Sequence, residues 1–518
     1  MLRTLAANNP ILYAVVFALT VALLWPVFDT QYVNTDESLY LACAQRLADG
    51  GALYADAWEN KPPVLVWLYT LFYLVFGSYS LFAIRIFGLV YLFGSGLLFN
   101  QLLYNFRIVR EFTLLPALLY ILVFSVPWYA WEVNGELLMS LPLLLMVVLL
   151  ALYINEERRD YRSLLWIGVL GGLLVCIKYQ AVFLVLGLGL TFVTTARVRL
   201  KELLTSFIGF LLPITACLLW IHFTGSMQAF WDIGILYNLD YLQRGLYPGE
   251  VVSWYSAWEY VKYWGGFGLL ALLGFLSFRV RFINTSIRQR KLESLFATWL
   301  LMGFVTILAG GARLYLHYFL IVLAPLLFYA LFFLESRMSL RWQNRVLWAA
   351  SLVPLLSWGS YFVLRSPTLY NHIQPYTKPG GWTQNLYIKL NGSAEEKAIG
   401  QLLSQKGIQA GVWVADFQPE LYVRLGVSPA LPYTNFSILW TKLNWLPQHP
   451  LPNYPLASQP VTLQMLYDQL EKEPPKAVID PLGFFGYLKH RMPLLLADYR
   501  PYTAGKWQVY LWEPELRK

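Results

Sequence analysis

The sequence predicts a polytopic α-helical membrane protein, and three observations predict it. Only 13% of the 518 residues are charged, about half the share a soluble domain carries, while 58% are hydrophobic. Apolar runs of roughly 20 residues, the length that crosses a bilayer, recur as far as residue 364. The 21 Trp, 35 Tyr and 32 Phe suit the two lipid interfaces. This composition excludes an ordinary soluble enzyme, a disordered chain and a collagen-like repeat. The formal charge is +9, but in such a chain the placement of Lys and Arg says more than their sum. Cys43, Cys176 and Cys217 have no CxxC spacing and the five histidines form no ligand pair, so neither a disulfide framework nor a zinc site is indicated.

The first apolar run covers 10–28 and has no small-residue cleavage site behind it, so it reads as a retained span. Further runs cover 80–104, 112–128, 137–154, 164–177, 179–195, 203–223, 263–278, 294–310, 314–334 and 346–364, which makes eleven with the first. Five of the links between them are basic: Arg107 and Arg110; Arg158, Arg159 and Arg162; Arg197, Arg199 and Lys201; Arg279, Arg281, Arg288, Arg290 and Lys291; Arg337, Arg341 and Arg345. Basic links stay in the cytoplasm. Residues 62–77 are also apolar, but a crossing there would move every later basic link to the other side. An odd number of crossings keeps Arg3 and all five links cytoplasmic, so the short 64–76 stretch is expected to lie along the outer interface. The competing reading is a short tilted span with one basic loop misplaced.

Three regions then face the outside: 29–77, 225–262 and everything after Arg365. The membrane domain is placed at 1–365, with an outer loop at about 29–79, and an extracytoplasmic α/β domain at 366–518. In that tail Ser393-Ala-Glu-Glu396 is a capping box that opens a helix ending at Gly407. Short apolar runs at 411–415, 476–480 and 508–512 read as strands, and 419–425 and 461–471 as helices. The tail shows neither a Gly-rich phosphate loop nor a nucleophile elbow, which leaves it recognition or stability.

Chemistry concentrates on the outer side. Thr35-Asp36-Glu37 opens a helix that Gly50-Gly51 stops, and the pair of carboxylates is equally what a capped helix with a complemented dipole would show. Asp56, Glu59 and Lys61 share the following loop, and Pro62-Pro63 can start the interfacial helix. Glu136 stands at the outer mouth before the fourth span. Arg313, Tyr315, His317 and Tyr318 fall at the outer ends of the ninth and tenth spans, where an aromatic belt with a snorkelling Arg would look alike. Carboxylates, a Lys and an Arg bordering hydrocarbon suit a phosphate head on a long isoprenoid tail. Fixed cations stabilise the phosphate as it departs, and a carboxylate accepts the proton of an attacking hydroxyl.

The order Asp36-Glu37, Glu59-Asn-Lys61-Pro-Pro63, Phe76-Gly77, Arg85, Asn134-Gly-Glu136 and Arg313-x-Tyr315-x-His317-Tyr318 resembles the bacterial GT-C glycosyltransferases. These include relatives of the protein O-mannosyltransferases and of the lipid A aminoarabinose transferases. The likeness covers roughly 10–365, and its most specific parts are the acidic pair and the Lys-Pro-Pro motif. It implies a GT-C membrane domain with outer juxtamembrane helices, in a bacterial inner membrane. The implied reaction moves a monosaccharide, with inversion, from a polyprenyl-phosphate carrier to a glycolipid, protein or cell-envelope glycan; membrane lipids are the other partners, and nucleic acid is none. Under this resemblance Asp36 is the general base, Glu136 a second acidic group and Lys61 a phosphate ligand. Arg313 with Tyr315, His317 or Tyr318 completes the phosphate site, and Glu37, Glu59 and Arg85 are further substrate-binding candidates. Glu136 departs from the Asp often found at its place. Arg85, Lys178 and Glu37 are the weaker candidates, and Lys178, at an outer turn, is equally explained as an interface anchor. No cofactor is required, because Lys61 and Arg313 can offset phosphate charge; a divalent cation near Asp36 and Glu136 is the alternative. The rival from another class is a lipid or sugar transporter or flippase, and a third is a non-catalytic scaffold. Transporters place ionisable groups at mid-membrane within repeated halves, and neither feature is seen here.

Overall fold

The computed structural model describes residues 10–28, 35–109, 114–125, 132–155, 160–196, 198–245, 254–280, 285–311, 314–337, parts of 342–359, 393–443, and 456–514 apart from 492, 494 and 495. Arg313 and the 366–392 linker lie outside them, as do Arg3, Arg110, Arg158, Arg159, Arg197, Arg281 and Arg341. The helices in chain order are α1 (Pro10–Phe28), α2 (Thr35–Ala48), α3 (Pro63–Phe76), α4 (Ser80–Asn105), α5 (Leu115–Ser125), α6 (Gly135–Ile154), α7 (Tyr161–Ile177), α8 (Ala181–Ala196) and α9 (Leu200–Phe223). A π-helical stretch, Phe230–Leu236, leads into α10 (Tyr237–Gly245), followed by α11 (Trp254–Val280), α12 (Ile287–Leu308) and α13 (Leu320–Arg337). By length and composition, five helical stretches among the described residues are apolar enough to cross a membrane: Pro63–Asn105, Gly135–Ile154, Leu200–Phe223, Ile287–Leu308 and Leu316–Glu335. Shorter apolar helices accompany them, so this is a multipass helical membrane protein. The longest stretch is interrupted. Pro62 and Pro63 start α3 where a missing N–H costs nothing, and Gly77, at φ 55°, ends it before a 3-10 turn, Gly77–Tyr79, leads into α4.

The chain forms two compact units. The first comprises residues 1–29, 85–216 and 245–366. Its helices approach closely through glycine. A Cβ at Gly168 or Gly172 of α7 would collide with the Ser206 or Phe210 carbonyl of α9, and one at Gly209 would collide with the Leu165 carbonyl. Buried donors find carbonyls: Trp299 Nε1 donates to Ile321 O at 2.7 Å and Trp264 Nε1 to Val123 O at 3.2 Å. Described residues of the links after α4 and α11 meet at the Ile154 end of α6. Gln289 donates to the Arg107 carbonyl at 2.9 Å and Lys291 to the Ile154 carbonyl at 2.8 Å, which caps the C-terminus of α6. Arg279 pairs with buried Glu293 at 3.0 Å, and Tyr329 donates to the same carboxylate at 2.8 Å. Glu136 begins α6 and Ile154 ends it, so the two are separated by about 30 Å of helix, one hydrocarbon thickness.

The second unit comprises residues 30–84, 217–244 and 367–518. It carries a five-stranded sheet in the order β2-β1-β3-β5-β4, from β1 (Ala410–Val414), β2 (Ser428–Pro429), β3 (Ala477–Asp480), β4 (Tyr499–Ala504) and β5 (Trp507–Trp512). The first three strands are parallel and the last two form an antiparallel hairpin turned at Gly505, φ 65°. Among the described residues, five helices are interspersed with these strands along the chain: α14 (Ala394–Gln405), α15 (Glu420–Leu425), α16 (Phe436–Lys442), α17 (Leu463–Lys472) and α18 (Phe484–Arg491). Ser393 and Glu396 close the capping box of α14, and Gly407 at φ 66° ends that helix. Ala42 of α2 joins Ile399, Val412, Val414, Leu421 and Ile479 in one fully buried core, so the helix that carries Asp36 is packed into this sheet's own hydrophobic interior.

Candidate active site

The chemistry-bearing residues fall into two clusters, one in each unit. In the second unit Asp36 and Tyr40 lie one turn apart on α2, and the electrostatics of the loop couple them to Glu59 and Lys61. Glu59 is fully buried. Its Oε1 accepts from the backbone N–H of Asn60 at 3.0 Å, from that of Lys61 at 3.2 Å and from Lys61 Nζ at 3.4 Å. The Lys61 ammonium sits 5.0 Å from the centroid of the Tyr40 ring and is 30% exposed. Burial pushes the Glu59 carboxyl above its ordinary range, against the pull of Lys61. Burial would lower Lys61, yet Glu59, Tyr40 and Asp36 together hold it well above the usual lysine value, so it keeps its charge at every physiological pH. Glu37 is buried in the same first turn of α2.

Backbone and packing fix this loop. Tyr54 takes a left-handed φ of 72°, and its hydroxyl donates to the Lys61 carbonyl at 2.8 Å. Trp58 N–H donates to the Pro432 carbonyl at 2.8 Å and its ring meets Tyr433 edge-on at 4.8 Å. Behind α2, Cys43 contacts the Thr434 hydroxyl at 3.4 Å, and burial pushes its thiol far up, which leaves it inert packing. Beyond Lys61, α3 turns Leu65, Val66 and Tyr69 inward and leaves Leu71, Leu74, Val75 and Phe76 exposed. A fixed ammonium therefore stands at the head of a helix whose far end is an apolar surface.

In the first unit Asn134 caps α6 by accepting from Leu137 N–H at 2.9 Å, which places Glu136 in the first turn, where a carboxylate complements the dipole. Glu136 is 4% exposed and ion-paired with Lys178, the residue that ends α7. The same ammonium lies 3.9 Å from the centroid of the Tyr318 ring. His317 meets Tyr318 edge-on at 4.7 Å, stacks on Tyr315 at 5.8 Å and is within electrostatic reach of Glu136. Arg85, 8% exposed near the start of α4, belongs to this unit. Sequence reasoning passed over Tyr40, although its place four residues after Asp36 was the available signal. For Lys178 the sequence leaves candidate and interface anchor both open, because nothing local marks a partner 42 residues away.

Among known proteins the model of the dolichyl-phosphate-mannose-protein mannosyltransferase family matches residues 60–223. The crystal structure of ArnT from Cupriavidus metallidurans bound to undecaprenyl phosphate aligns over 97% of this chain and 98% of its own, with TM-score 0.60 and 13% identity. Its apo state aligns over 96% and 97%, with TM-score 0.54 and 13% identity. The apo oligosaccharyltransferase of Archaeoglobus fulgidus aligns over 97% of this chain and 75% of its own, with TM-score 0.52 and 12% identity. The fold is that of the GT-C glycosyltransferases. No curated protein matches the chain in sequence. Within this GT-C fold the family-model match begins at Asn60 and so takes in Lys61, α3 and Glu136.

Proposed function

We propose that the chain is an inverting glycosyltransferase that moves a monosaccharide from a polyprenyl-phosphate donor to an extracytoplasmic glycolipid, protein or envelope glycan. One observation carries this reading: the Lys61 ammonium, held between Glu59 and the Tyr40 face, directly precedes a helix with an exposed apolar end, and so offers a charge for the phosphate and a lipid-facing surface for the tail. The ArnT structure with undecaprenyl phosphate supports a carrier of that class. In the reaction the acceptor hydroxyl bonds to the anomeric carbon and passes its proton to Asp36. The bond from that carbon to the phosphate oxygen breaks, and polyprenyl phosphate leaves with the electron pair. Lys61 offsets the charge developing on the departing phosphate, for which no divalent cation is needed. Glu59 is assigned to the donor site through its hold on the partly exposed Lys61 ammonium, which it pairs at 3.4 Å. The Glu136, Lys178, His317 and Tyr318 cluster is assigned a second binding role, together with Tyr315 and Arg313.

Eleven crossings in a bacterial inner membrane complete the proposal, with the N-terminus in the cytoplasm and residues 366–518 as an extracytoplasmic domain. The basic links at one end of α6 and the Glu136 cluster at the other support that orientation. Asp36→Asn, which keeps the shape and removes the base, should lower sugar transfer from a purified polyprenyl-phosphate donor by about a hundredfold or more, with melting temperature unchanged. Transfer at the wild-type rate would remove Asp36 from the chemistry.

A further inference from the structure

The geometry points to Asn238 as the positioning residue for Lys61, an inference that rests on the reading of Lys61 as the donor-phosphate ligand. Lys61 is held through its neighbour. Asn60 Nδ2 donates to Asn238 Oδ1 at 3.1 Å, and Asn238 Nδ2 returns a bond to the Asn60 carbonyl at 2.7 Å. The remaining amide hydrogen of Asn238 goes to the Gly234 carbonyl at 2.6 Å. Both donors and one acceptor of the Asn238 side chain are thus engaged, and the opposite amide orientation would set its oxygen against two carbonyls. Asn60 sits between Glu59 and Lys61 in sequence, and its own N–H is bound by the Glu59 carboxylate. The peptide bond that fixes Lys61 therefore has its carbonyl tied to Asn238, while both flanking N–H groups go to Glu59.

The partner is equally fixed. Asn238 follows the π-helical stretch Phe230–Leu236, a form of helix seen mostly as a local insertion and often at functional positions. Phe230, at the start of that stretch, meets the Tyr54 ring at 5.2 Å, and the Tyr54 hydroxyl holds the Lys61 carbonyl. The loop is thus fastened to one helical segment at two points, one aromatic and one hydrogen-bonded. Asp232 and Asp240 of the same segment are anchored in turn. Asp232 pairs with Lys442 and accepts from Gln459 N–H at 2.8 Å, while Asp240 accepts from Ala457 N–H at 2.6 Å and Ser458 N–H at 3.2 Å. A side chain that gives one amide hydrogen to the Asn60 carbonyl and the other to the Gly234 carbonyl of its own segment ties the loop to that segment, and so acts on where the ammonium stands.

Asn238→Asp is the discriminating change, because it keeps the volume and turns the donor into an oxygen facing two carbonyls. In full-length protein, undecaprenyl phosphate binding should weaken by about tenfold and the donor KM should rise by a similar factor, while kcat stays within about twofold. A melting temperature close to wild type with this KM-only change supports positioning. Wild-type binding and KM in the variant would overturn it, as would a parallel fall of kcat and stability. Asn60→Ala removes the other half of the pair and should give the same KM effect, with the double variant no worse than either single one; full additivity would also overturn the inference. If wild-type protein fails to bind undecaprenyl phosphate, it is the donor reading that fails, whereas normal wild-type binding with an indifferent Asn238→Asp condemns the positioning role alone.

Discussion

Asp480 shows what a buried charge costs at the scale of one residue. It is 2% exposed at the end of β3 and accepts from Gly486 N–H at 2.9 Å, yet its Oδ1 has no hydrogen-bond partner among the described residues. Burial raises its pKa, against the N–H groups that open α18. The unfolded chain ionises near 3.9, so the ionised folded form is penalised as pH rises through the higher folded value, and no penalty exists below the unfolded value. Asp480→Asn should therefore raise the melting temperature by a few degrees at pH 7.5, and the gain should shrink toward pH 4; a gain independent of pH would contradict the electrostatic cause. Nothing in the sequence singles out Asp480, because its burial depends on strands and helices far along the chain. Lys61 was legible, because a lysine followed by two prolines announces a loop entering a helix. Its aromatic partner Tyr40 was marked only by its place four residues after Asp36, since the contact that joins them is made by folding.

Among elements, α7 and α9 depend on the missing side chains of Gly168, Gly172 and Gly209, which bring the two backbones into contact. Gly172→Val should destabilise the protein by about 1–3 kcal/mol or more in detergent denaturation, whereas Gly189→Ala, which meets nothing within 4 Å, should be nearly neutral. Equal effects would show that propensity, not packing, is at stake. The periodic and punctuated elements were the readable ones: the start of α3 at Pro62-Pro63, its stop at Gly77, and the Ser393 capping box. Residues 428–429 and 499–504, which form strands β2 and β4, carried no alternation long enough to read, and the sheet supplies their pairing. The π-helical stretch is likewise invisible in composition, because one inserted residue leaves the apolar pattern almost unchanged.

For the whole molecule, the proposed topology puts the basic end of α6 in the cytoplasm and the Glu136 end outside. Arg162 is exposed next to the basic end of α6, and Gln401 is exposed on α14 in the second unit. A cysteine placed at Arg162 should resist a membrane-impermeant maleimide until cells are permeabilised, and one at Gln401 should react at once, over a low background because the three native cysteines are buried. The reverse pattern would invert the topology.

The interruption at Gly77 has a consequence for how one stretch of sequence can do two jobs. A straight rod of the 43 residues from Pro63 to Asn105 would measure about 65 Å, more than twice the depth of a bilayer's oily layer. No lipid sheet could house such a spike without stranding half its greasy surface in water. By allowing a hinge where only glycine sits comfortably, the chain divides that length into a short tether beside Lys61 and a pillar of ordinary height.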